Sequence, residues 1–226
     1  GTLTDEYIGC GMGLTAENLA KQYDISREEQ DEFAVQSHLK AKQAIESGRF
    51  ATEIVHVKTK NARGKEIIVE QDEHVRFDIS LEQVRKLKPA FLKDGTVTAG
   101  NASGINDGAA AVVIASEEAV RDNNLNPLAK VVAWAMSGVD PNIMGIGPVP
   151  AIRKVLEKAN LHLHDIDLFE LNEAFAAQSI AVLQELEIDP DKVNVNGGAI
   201  ALGHPVGASG ARIAYSLALE LKQQNK

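Results

Sequence analysis

Cysteine and long hydrophobic runs are what this sequence has least of. The 226 residues contain one cysteine, so no internal disulfide can form. This excludes a disulfide-stapled secreted fold and a zinc cluster built from cysteines. No apolar run approaches the roughly 18 to 20 residues that a membrane-spanning helix needs. Residues 1–6 lack the basic region and apolar core of a signal peptide. We therefore expect a cytoplasmic protein with no membrane partner.

Positive charge is also scarce. Lys and Arg number 23 against 32 Asp and Glu, which gives a formal net charge of −9. Binding to a nucleic-acid backbone requires a basic surface, so no nucleic-acid partner is expected. A nucleotide-like ligand stays possible, because it needs only a few local Lys and Arg. Hydrophobic residues make up 44% of the chain, which is typical of a folded globular protein and argues against disorder.

The first hundred residues are polar and rich in charge. Their patterns predict, in chain order, a helix over 15–23, a helix from a capping box at Ser26 and Glu29 to a C-cap at Gly48, a hairpin with strands over 54–57 and 67–69, and a short helix after Ser80.

From about residue 99 the chain is rich in Ala, Gly and Val, and strands alternate with helices. The predicted strands lie over 109–115, 128–135, 167–171 and 193–196. One predicted helix begins at 116, and three others run over 150–159, 173–186 and 208–223. Buried apolar strands that alternate with helices indicate an α/β layered fold, with a sheet covered by helices on both faces.

A glycine-rich segment over 194–210 connects a predicted strand to a predicted helix, and His204 lies in it between Gly203 and Pro205. Small residues allow a ligand to approach the backbone closely, and a proline stiffens the turn. An isolated histidine in such a place is more often a structural loop residue. The density of glycine around His204 favours a catalytic imidazole.

Two further loops could contribute to a site. Asn172 lies where a predicted strand ends and a helix begins, where its amide could hold a water or an oxyanion; taken alone, an N-cap is the favoured interpretation. Residues 96–108 could form a substrate cradle or a tight loop that needs glycine for its backbone. A Walker-type phosphate loop is excluded, because no Gly-Lys-Ser/Thr ending is present.

Other ionisable residues carry weaker signals. His162 and His164 are interpreted as a surface pair, since metal binding would need further ligands. Cys10 has no adjacent base in the sequence, so a half-buried small apolar residue is favoured over a nucleophile. No metal site is expected.

Together the three loops resemble those of the thiolase family. Residues 197–210 are similar to its G-G-A-I-A-x-G-H-P-x-G-x-S-G signature, 172–175 to N-E-A-F and 100–104 to G-N-A-S-G, and the resemblance runs from Met12 to Arg212. It implies an incomplete thiolase-like layered αβαβα fold in three parts. These parts are a CoA-binding loop domain over 1–100, the end of the N-terminal core domain over 101–126, and the C-terminal core domain over 127–226 without its last strands.

The resemblance implies acyl transfer that forms or cleaves acetoacetyl-CoA. A nucleophilic cysteine takes an acetyl group from acetyl-CoA, and a second acetyl-CoA attacks the acyl-enzyme. In this scheme His204 activates the nucleophile and helps bind the thioester oxygen, while Asn172 holds a water that completes the oxyanion site. The resemblance implies CoA thioesters as substrates, no cofactor, and a homodimer or homotetramer.

The resemblance also implies a set of substrate-binding and CoA-binding residues. Ser103 is similar to the family residue that bonds the pantetheine arm. Arg76, Leu87, Phe91 and Ala99 are similar to the wall that faces CoA, Met144 and Phe175 to the lining of the acyl pocket, and Met12 and Ala174 complete the set.

The sequence departs from the family pattern at the thiols. Neither of the family's two catalytic cysteines matches a residue here, Cys10 aligns with neither, and Gly11 stands where a histidine is frequent. These residues alone are therefore expected to be inactive. Two alternatives stay open. The first is a degradative 3-ketoacyl-CoA thiolase, although Met144 favours short acyl chains. The second is a non-catalytic CoA-binding protein, although the retention of His204, Asn172 and Ser103 argues against it.

Overall fold

The computed structural model describes residues 3–226, and helices make up most of its regular structure. Gly1 and Thr2, which belong to the segment inspected for a signal peptide, lie outside the described residues. The helices are α1 Met12–Gln22, α2 Arg27–Glu46, α3 Leu81–Arg85, α4 Glu117–Asp122, α5 Pro148–Ala159, α6 Ala176–Leu186, α7 Ala199–Leu202 and α8 Ser209–Gln223. Short 3-10 turns occupy Arg49–Thr52, Pro141–Ile146, Leu163–Asp165 and Pro190–Lys192.

The helix starts that depend on local chemistry are confirmed. The Ser26 hydroxyl accepts from the backbone N–H of Glu29, and the Glu29 carboxylate accepts from the backbone N–H of Ser26, which is the predicted capping box. Gly48 follows the end of α2 with a φ of 75°, a left-handed conformation that glycine adopts without strain. A second capping box at Ser80 begins α3.

Two antiparallel strand pairs are present among the described residues. Strands β1 (Thr4–Asp5) and β2 (Cys10–Gly11) form one, and β3 (Val57–Lys60) and β4 (Glu66–Val69) form the predicted hairpin. Its first strand lies three residues later than the predicted 54–57. The reason is local, because the Asn61 side chain accepts from the backbone N–H groups of Arg63 and Lys65 and closes a tight turn.

The main core lies around α6. Helix α1, the Pro141–Ile146 turn and α5 pack against one side of it, and Leu19, Val149 and Val182 are buried between them. Helix α2 packs against α6 and α7 on the other side, where Ala41 and Ala201 have no exposed surface. The short α7 is thereby held between α2 and the rest of the molecule.

The predicted buried strands over 109–115 and 128–135 are wrong for this structure. Val113 is 97% exposed and Val131 is 75% exposed. A strand needs backbone partners on a neighbouring strand. Within residues 3–226, no backbone–backbone hydrogen bond joins 106–115 or 126–139 to another segment.

The other two predicted strands, 167–171 and 193–196, do lie side by side. Phe169 and Val193 form one parallel bridge. The Asn194 side chain continues the pairing, since its Oδ1 accepts from Leu171 N at 2.8 Å and its Nδ2 donates to Leu171 O at 2.8 Å. The pairing therefore ends next to Asn172.

Three helices begin two or more residues away from the predicted position. Helix α1 begins three residues earlier than expected, and α5 begins at Pro148 instead of 150. Helix α6 begins at Ala176 instead of 173, because Phe175 is extended and pairs with Ala102 in an antiparallel bridge.

Within the part of the chain that the structure describes, no helix is long and apolar enough to cross a membrane. The division into parts at residues 100 and 126 stays a prediction.

Candidate active site

A cavity of about 230 Å³ lies between α1, α6, the turn before α5 and the two loops that carry Asn172 and His204. Its walls are mainly apolar. Five of the predicted site residues line it, namely Met144, Asn172, Ala174, Phe175 and His204, together with Thr15, Ala16, Leu19, Gly145, Pro148 and Gln178. The structure thus brings together residues that are up to 189 positions apart, from Thr15 to His204.

Asn172 is not a helix cap. The N-cap of α6 is Phe175, which makes no side-chain cap, and Asn172 lies four residues before the first residue of the helix. Its Nδ2 lies 3.3 Å from Nε2 of His204. Its Oδ1 is buried and has no protein donor within hydrogen-bond distance among the described residues. The capping interpretation that the residues alone favoured is therefore wrong.

The backbone of His204 is held by the loop 101–106. Its N–H donates to the carbonyl of Gly104 at 3.3 Å and to Oδ1 of Asn106 at 3.1 Å. Gly203 has a φ of 93°, and a Cβ there would meet the Asn106 side chain. Glycine is required at this position both by the left-handed backbone and by the close approach.

The His204 ring makes two polar contacts. Besides Asn172 at Nε2, its Nδ1 lies 2.6 Å from Oγ of Ser209, the first residue of α8. Burial lowers the pKa of His204 below its ordinary value, and the positive charge of Arg212 lowers this pKa further. The imidazole is therefore neutral near pH 7, as a general base must be.

Glu173 is buried behind the glycine-rich loop and holds it by hydrogen bonds. It is 2% exposed and accepts hydrogen bonds from Ser37 Oγ at 2.7 Å, Asn194 Nδ2 at 2.9 Å and the backbone N–H of Ile200 at 3.2 Å. A Cβ at Gly198 would collide with its carboxylate. Burial raises the pKa of Glu173, against the effect of these hydrogen bonds.

The loop 96–108 docks against the segment that carries Asn172. Ser103 donates its backbone N–H to the carbonyl of Ala174 at 3.0 Å, and Ala176 donates to the carbonyl of Asn101 at 2.9 Å. The Asn101 side chain is fully buried and donates to Asp31 at 2.9 Å. These bonds place Ser103 beside the wall of the cavity.

The remaining predicted residues lie outside the lining. The Phe91 ring stands edge-on to Phe175, with centroids 6.0 Å apart. Leu87 lies against Gly100, and Met12 is the first residue of α1. Arg76 and Ala99 are both exposed and contribute no atoms to the cavity wall.

The weaker candidates stay apart from the cavity. His162 and His164 stack with ring centroids 5.4 Å apart, and His164 is exposed beside Asp165. Cys10 lies in β2, half-buried, and is not among the residues that line the cavity. Within residues 3–226 no three His, Cys, Asp or Glu side chains converge in a way that could hold a metal ion.

Sequence reasoning missed several residues of the site. Ser209 lies in the glycine-rich motif and Glu173 in the N-E-A-F motif. Membership of these motifs was the one feature of the sequence that could have identified them. Thr15 and Gln178 line the cavity from α1 and α6, and only the tertiary packing of these helices brings them there.

A neutral imidazole lies beside an asparagine amide in a mainly apolar cavity, an arrangement that can carry out acid–base chemistry. The comparisons with known proteins specify the class. Residues 1–118 match the model of the thiolase N-terminal domain, and residues 125–226 match that of the thiolase C-terminal domain. The chain belongs to the thiolase family.

Individual relatives agree in fold and sequence. A probable acetyl-CoA acyltransferase of Staphylococcus aureus (strain COL) is 56% identical over 98% of this chain and 56% of its own length. The crystal structure of the Bacillus anthracis acetyl-CoA acetyltransferase matches with a TM-score of 0.96 at 56% identity, over 99% of this chain and 56% of that chain. The crystal structure of human mitochondrial 3-ketoacyl-CoA thiolase in complex with CoA matches with a TM-score of 0.95 at 53% identity, over 99% of this chain and 55% of that chain.

These matches confirm the α/β thiolase-like fold predicted from the sequence. The chain spans 56% of the length of the curated relatives that it matches. The activity of a whole protein that contains it is therefore a matter for proposal.

Proposed function

We propose that the natural protein that carries this sequence is an acetyl-CoA C-acetyltransferase, which forms acetoacetyl-CoA from two acetyl-CoA and cleaves it in reverse. The observation that carries this proposal is the contact between Asn172 Nδ2 and His204 Nε2, 3.3 Å apart in the wall of a mainly apolar cavity. Such a pair can take a proton from a thiol and then support negative charge on an oxygen.

The first half-reaction transfers an acetyl group to the enzyme. Nε2 of His204 accepts the proton of the enzyme thiol, and the thiolate attacks the carbonyl carbon of acetyl-CoA. A carbon–sulfur bond forms while the carbonyl electrons move to the oxygen. The intermediate then collapses, the CoA thiolate leaves, and the imidazolium returns a proton to it.

Asn172 and His204 both face the place where this negative charge develops. Once protonated, His204 presents Nε2–H as a donor, which is stronger than a neutral donor because it carries charge. Asn172 Oδ1 is buried without a protein donor, and an acceptor left in that condition costs about 1–3 kcal/mol. A water that donates to this oxygen would satisfy it and could direct its second hydrogen to the oxyanion.

The second half-reaction forms a carbon–carbon bond. A base removes a proton from the methyl group of a second acetyl-CoA, and the enolate carbon attacks the acyl-enzyme carbonyl. The enzyme thiolate leaves, so that two acetyl-CoA give one acetoacetyl-CoA and one CoA. The same oxyanion donors stabilise the enolate oxygen.

The thiols are outside this set of residues. Cys10, the sole cysteine, does not line the cavity. The proposal therefore takes both the nucleophile and the base for the second half-reaction from other parts of the natural protein, in keeping with the family resemblance.

Binding of CoA rests on the residues around the mouth of the cavity. Ser103, beside Ala174, is proposed to contact the pantetheine arm, and Phe91, against Phe175, to contribute to the CoA wall. Arg76 and Ala99 are exposed and available to a large ligand, as are Leu87 and Met12 in part. We propose no cofactor, a cytoplasmic location and a homodimer or homotetramer, as in the resemblance.

A degradative 3-ketoacyl-CoA thiolase is the second candidate. The similarity to human mitochondrial 3-ketoacyl-CoA thiolase supports it. Met144 favours the short-chain proposal instead, and it lines the cavity together with Phe175.

Thiolysis by the purified natural protein tests the proposal, after its intact mass has established which polypeptide is assayed. We expect turnover of acetoacetyl-CoA with CoA, and slower turnover of 3-ketoacyl-CoA substrates with longer chains. Faster cleavage of the longer substrates would favour the degradative candidate. Binding of CoA without any turnover would support the non-catalytic alternative and contradict both enzymes.

A further inference from the structure

Ser209 lies directly behind the His204 ring. It is 4% exposed, and its Oγ lies 2.6 Å from His204 Nδ1. The same hydroxyl is placed to donate to the carbonyl of Pro205 at 3.2 Å. The backbone N–H groups of Ala208 and Ser209 also donate to this carbonyl, at 2.8 and 2.9 Å, so the start of α8 holds Ser209 in a fixed position.

The hydroxyl has a single hydrogen, so it can donate to the Pro205 carbonyl or to His204 Nδ1 but not to both. If Ser209 donates to Pro205, its oxygen must accept from His204, so Nδ1 carries the hydrogen. Nε2 then has a free lone pair and accepts from Asn172 Nδ2, 3.3 Å away. All three contacts are satisfied by this one arrangement.

The opposite tautomer fits these contacts poorly. With the hydrogen on Nε2, that nitrogen and the Asn172 amide would present N–H groups to each other across 3.3 Å. Reversing the Asn172 amide would relieve this clash, but it would remove the buried acceptor Oδ1, to which the water of the proposed oxyanion site donates. The structure therefore favours the hydrogen on Nδ1.

We propose that Ser209 is a positioning residue that keeps neutral His204 in the tautomer with Nδ1 protonated and Nε2 unprotonated on the side of the cavity. The proposal rests on the proposed function, in which Nε2 takes the proton of a thiol. A base can accept a proton only at a nitrogen that is not already protonated. Without Ser209 the ring is free to exchange tautomers, and part of the protein holds a base that cannot act.

The test observes the tautomer itself. Protein labelled with ¹⁵N-histidine is measured by magic-angle-spinning NMR at a pH above the His204 pKa, which does not require a monomeric sample. His204→Gln identifies the signals of His204. We expect hydrogen on Nδ1 in the wild type, a shift toward Nε2 in Ser209→Ala, and the wild-type pattern in Ser209→Thr, which keeps a hydroxyl. A wild-type spectrum with hydrogen on Nε2 overturns the proposal, even if neither variant folds.

A matched control separates this role from the general cost of removing a buried hydroxyl. Ser179 in α6 is 2% exposed, and its Oγ has no partner among the described residues. Ser179→Ala should leave the tautomer unchanged.

In the natural protein we expect kcat to fall roughly tenfold in Ser209→Ala and to recover in Ser209→Thr. A tenfold fall is the effect expected from the loss of one orienting hydrogen bond. An unchanged tautomer in Ser209→Ala contradicts the proposal. Absence of turnover in the wild type contradicts only the proposed function, because the NMR result does not depend on activity.

Discussion

At the scale of residues, burial determines the ionisation of the groups behind the cavity. Burial raises the pKa of Glu170 to about 8, although Arg212 attracts its charged form, and the carboxylates of Glu173 and Glu53 raise this pKa further. The same Arg212 lowers the pKa of His204. One guanidinium therefore acts on both the carboxyl cluster and the proposed base.

Glu170 should make the stability of the protein depend on pH. Its pKa rises on folding from an ordinary value of 4.5 to about 8, so the folded state binds a proton that the unfolded state releases. The free energy of unfolding should then fall as the pH rises from about 5 to about 8. Glu170→Gln removes the titrating group, and the variant should gain stability relative to the wild type across this interval.

Denaturant unfolding at several pH values measures this difference. Glu118→Gln in α4, at an exposed carboxyl, is the matched control and should leave the pH dependence unchanged. Parallel wild-type and Glu170→Gln curves between pH 5 and 8 would show that Glu170 is ionised when folded.

Sequence reasoning at this scale singled out Asn172 and His204, which both line the cavity, but not the residues around them. Glycine density pointed to His204, and the motif resemblance raised Asn172 above a helix cap. Glu173 directly follows Asn172, and Ser209 lies five residues after His204, yet their roles depend on which atoms face them in the fold. These contacts are made by the tertiary structure, and the spacing of residues in the sequence does not reveal them.

At the scale of elements, the glycine-rich loop is fitted to a buried carboxylate. Glu173 accepts from Ser37 on α2, from Asn194 at the start of the loop and from Ile200 in α7. Gly198 passes so close to it that no side chain fits. Glu173 is thus one of the groups that position the loop that presents His204.

Gly198→Ala should disturb this loop strongly. Its Cβ would collide with Glu173, which is buried and bonded on three sides, so either the loop or the carboxylate must move. We expect a loss of stability of about 1–3 kcal/mol from overpacking, and a fall in thiolysis because His204 shifts. Thermal unfolding and the thiolysis assay measure the two effects.

Gly207→Ala is the control in the same loop region, since nothing lies within 4 Å of a Cβ there. It should change neither quantity substantially. Equal effects of the two substitutions would contradict the account of a close fit at Gly198.

The elements that could be predicted are those whose cause is local. The capping box at Ser26, the start of the helix after Ser80 and the hairpin closed at Asn61 depend on residues within four positions, and each of these predictions was confirmed or only shifted. The strands over 109–115 and 128–135 were predicted from apolar composition alone. A strand also needs a neighbour, and composition does not tell whether one is present.

At the scale of the whole molecule, these same two segments form an exposed apolar surface. Val113, Ile114, Val131, Val132 and Trp134 are each at least 67% exposed. Apolar surface of this extent promotes association, and extended chain without backbone partners promotes pairing with other chains.

We expect the 226-residue chain to self-associate instead of forming a well-behaved monomer. Val113→Asp combined with Val132→Asp should reduce this association, because charge opposes burial of the surface. Val55→Asp, at a valine that is 82% exposed outside these segments, is the control and should have little effect. Light scattering during size-exclusion chromatography measures the mass. A sharp monomer peak with cooperative melting for the unmodified chain would contradict this expectation.

The central claim is that His204 acts as both base and oxyanion donor, and His204→Ala in the natural protein tests it most directly. Loss of one oxyanion donor costs roughly 10²–10³-fold in rate, and loss of a general base typically about 10²–10⁴-fold, with effects that do not simply add. We predict at least a roughly thousandfold fall in thiolysis of acetoacetyl-CoA, with little change in folding. The activity of Asn172→Ala should fall less, and the activities of His162→Ala and His164→Ala should stay near that of the wild type. If His204→Ala kept more than about a tenth of the activity, His204 would be a structural loop histidine and the proposed mechanism would be wrong.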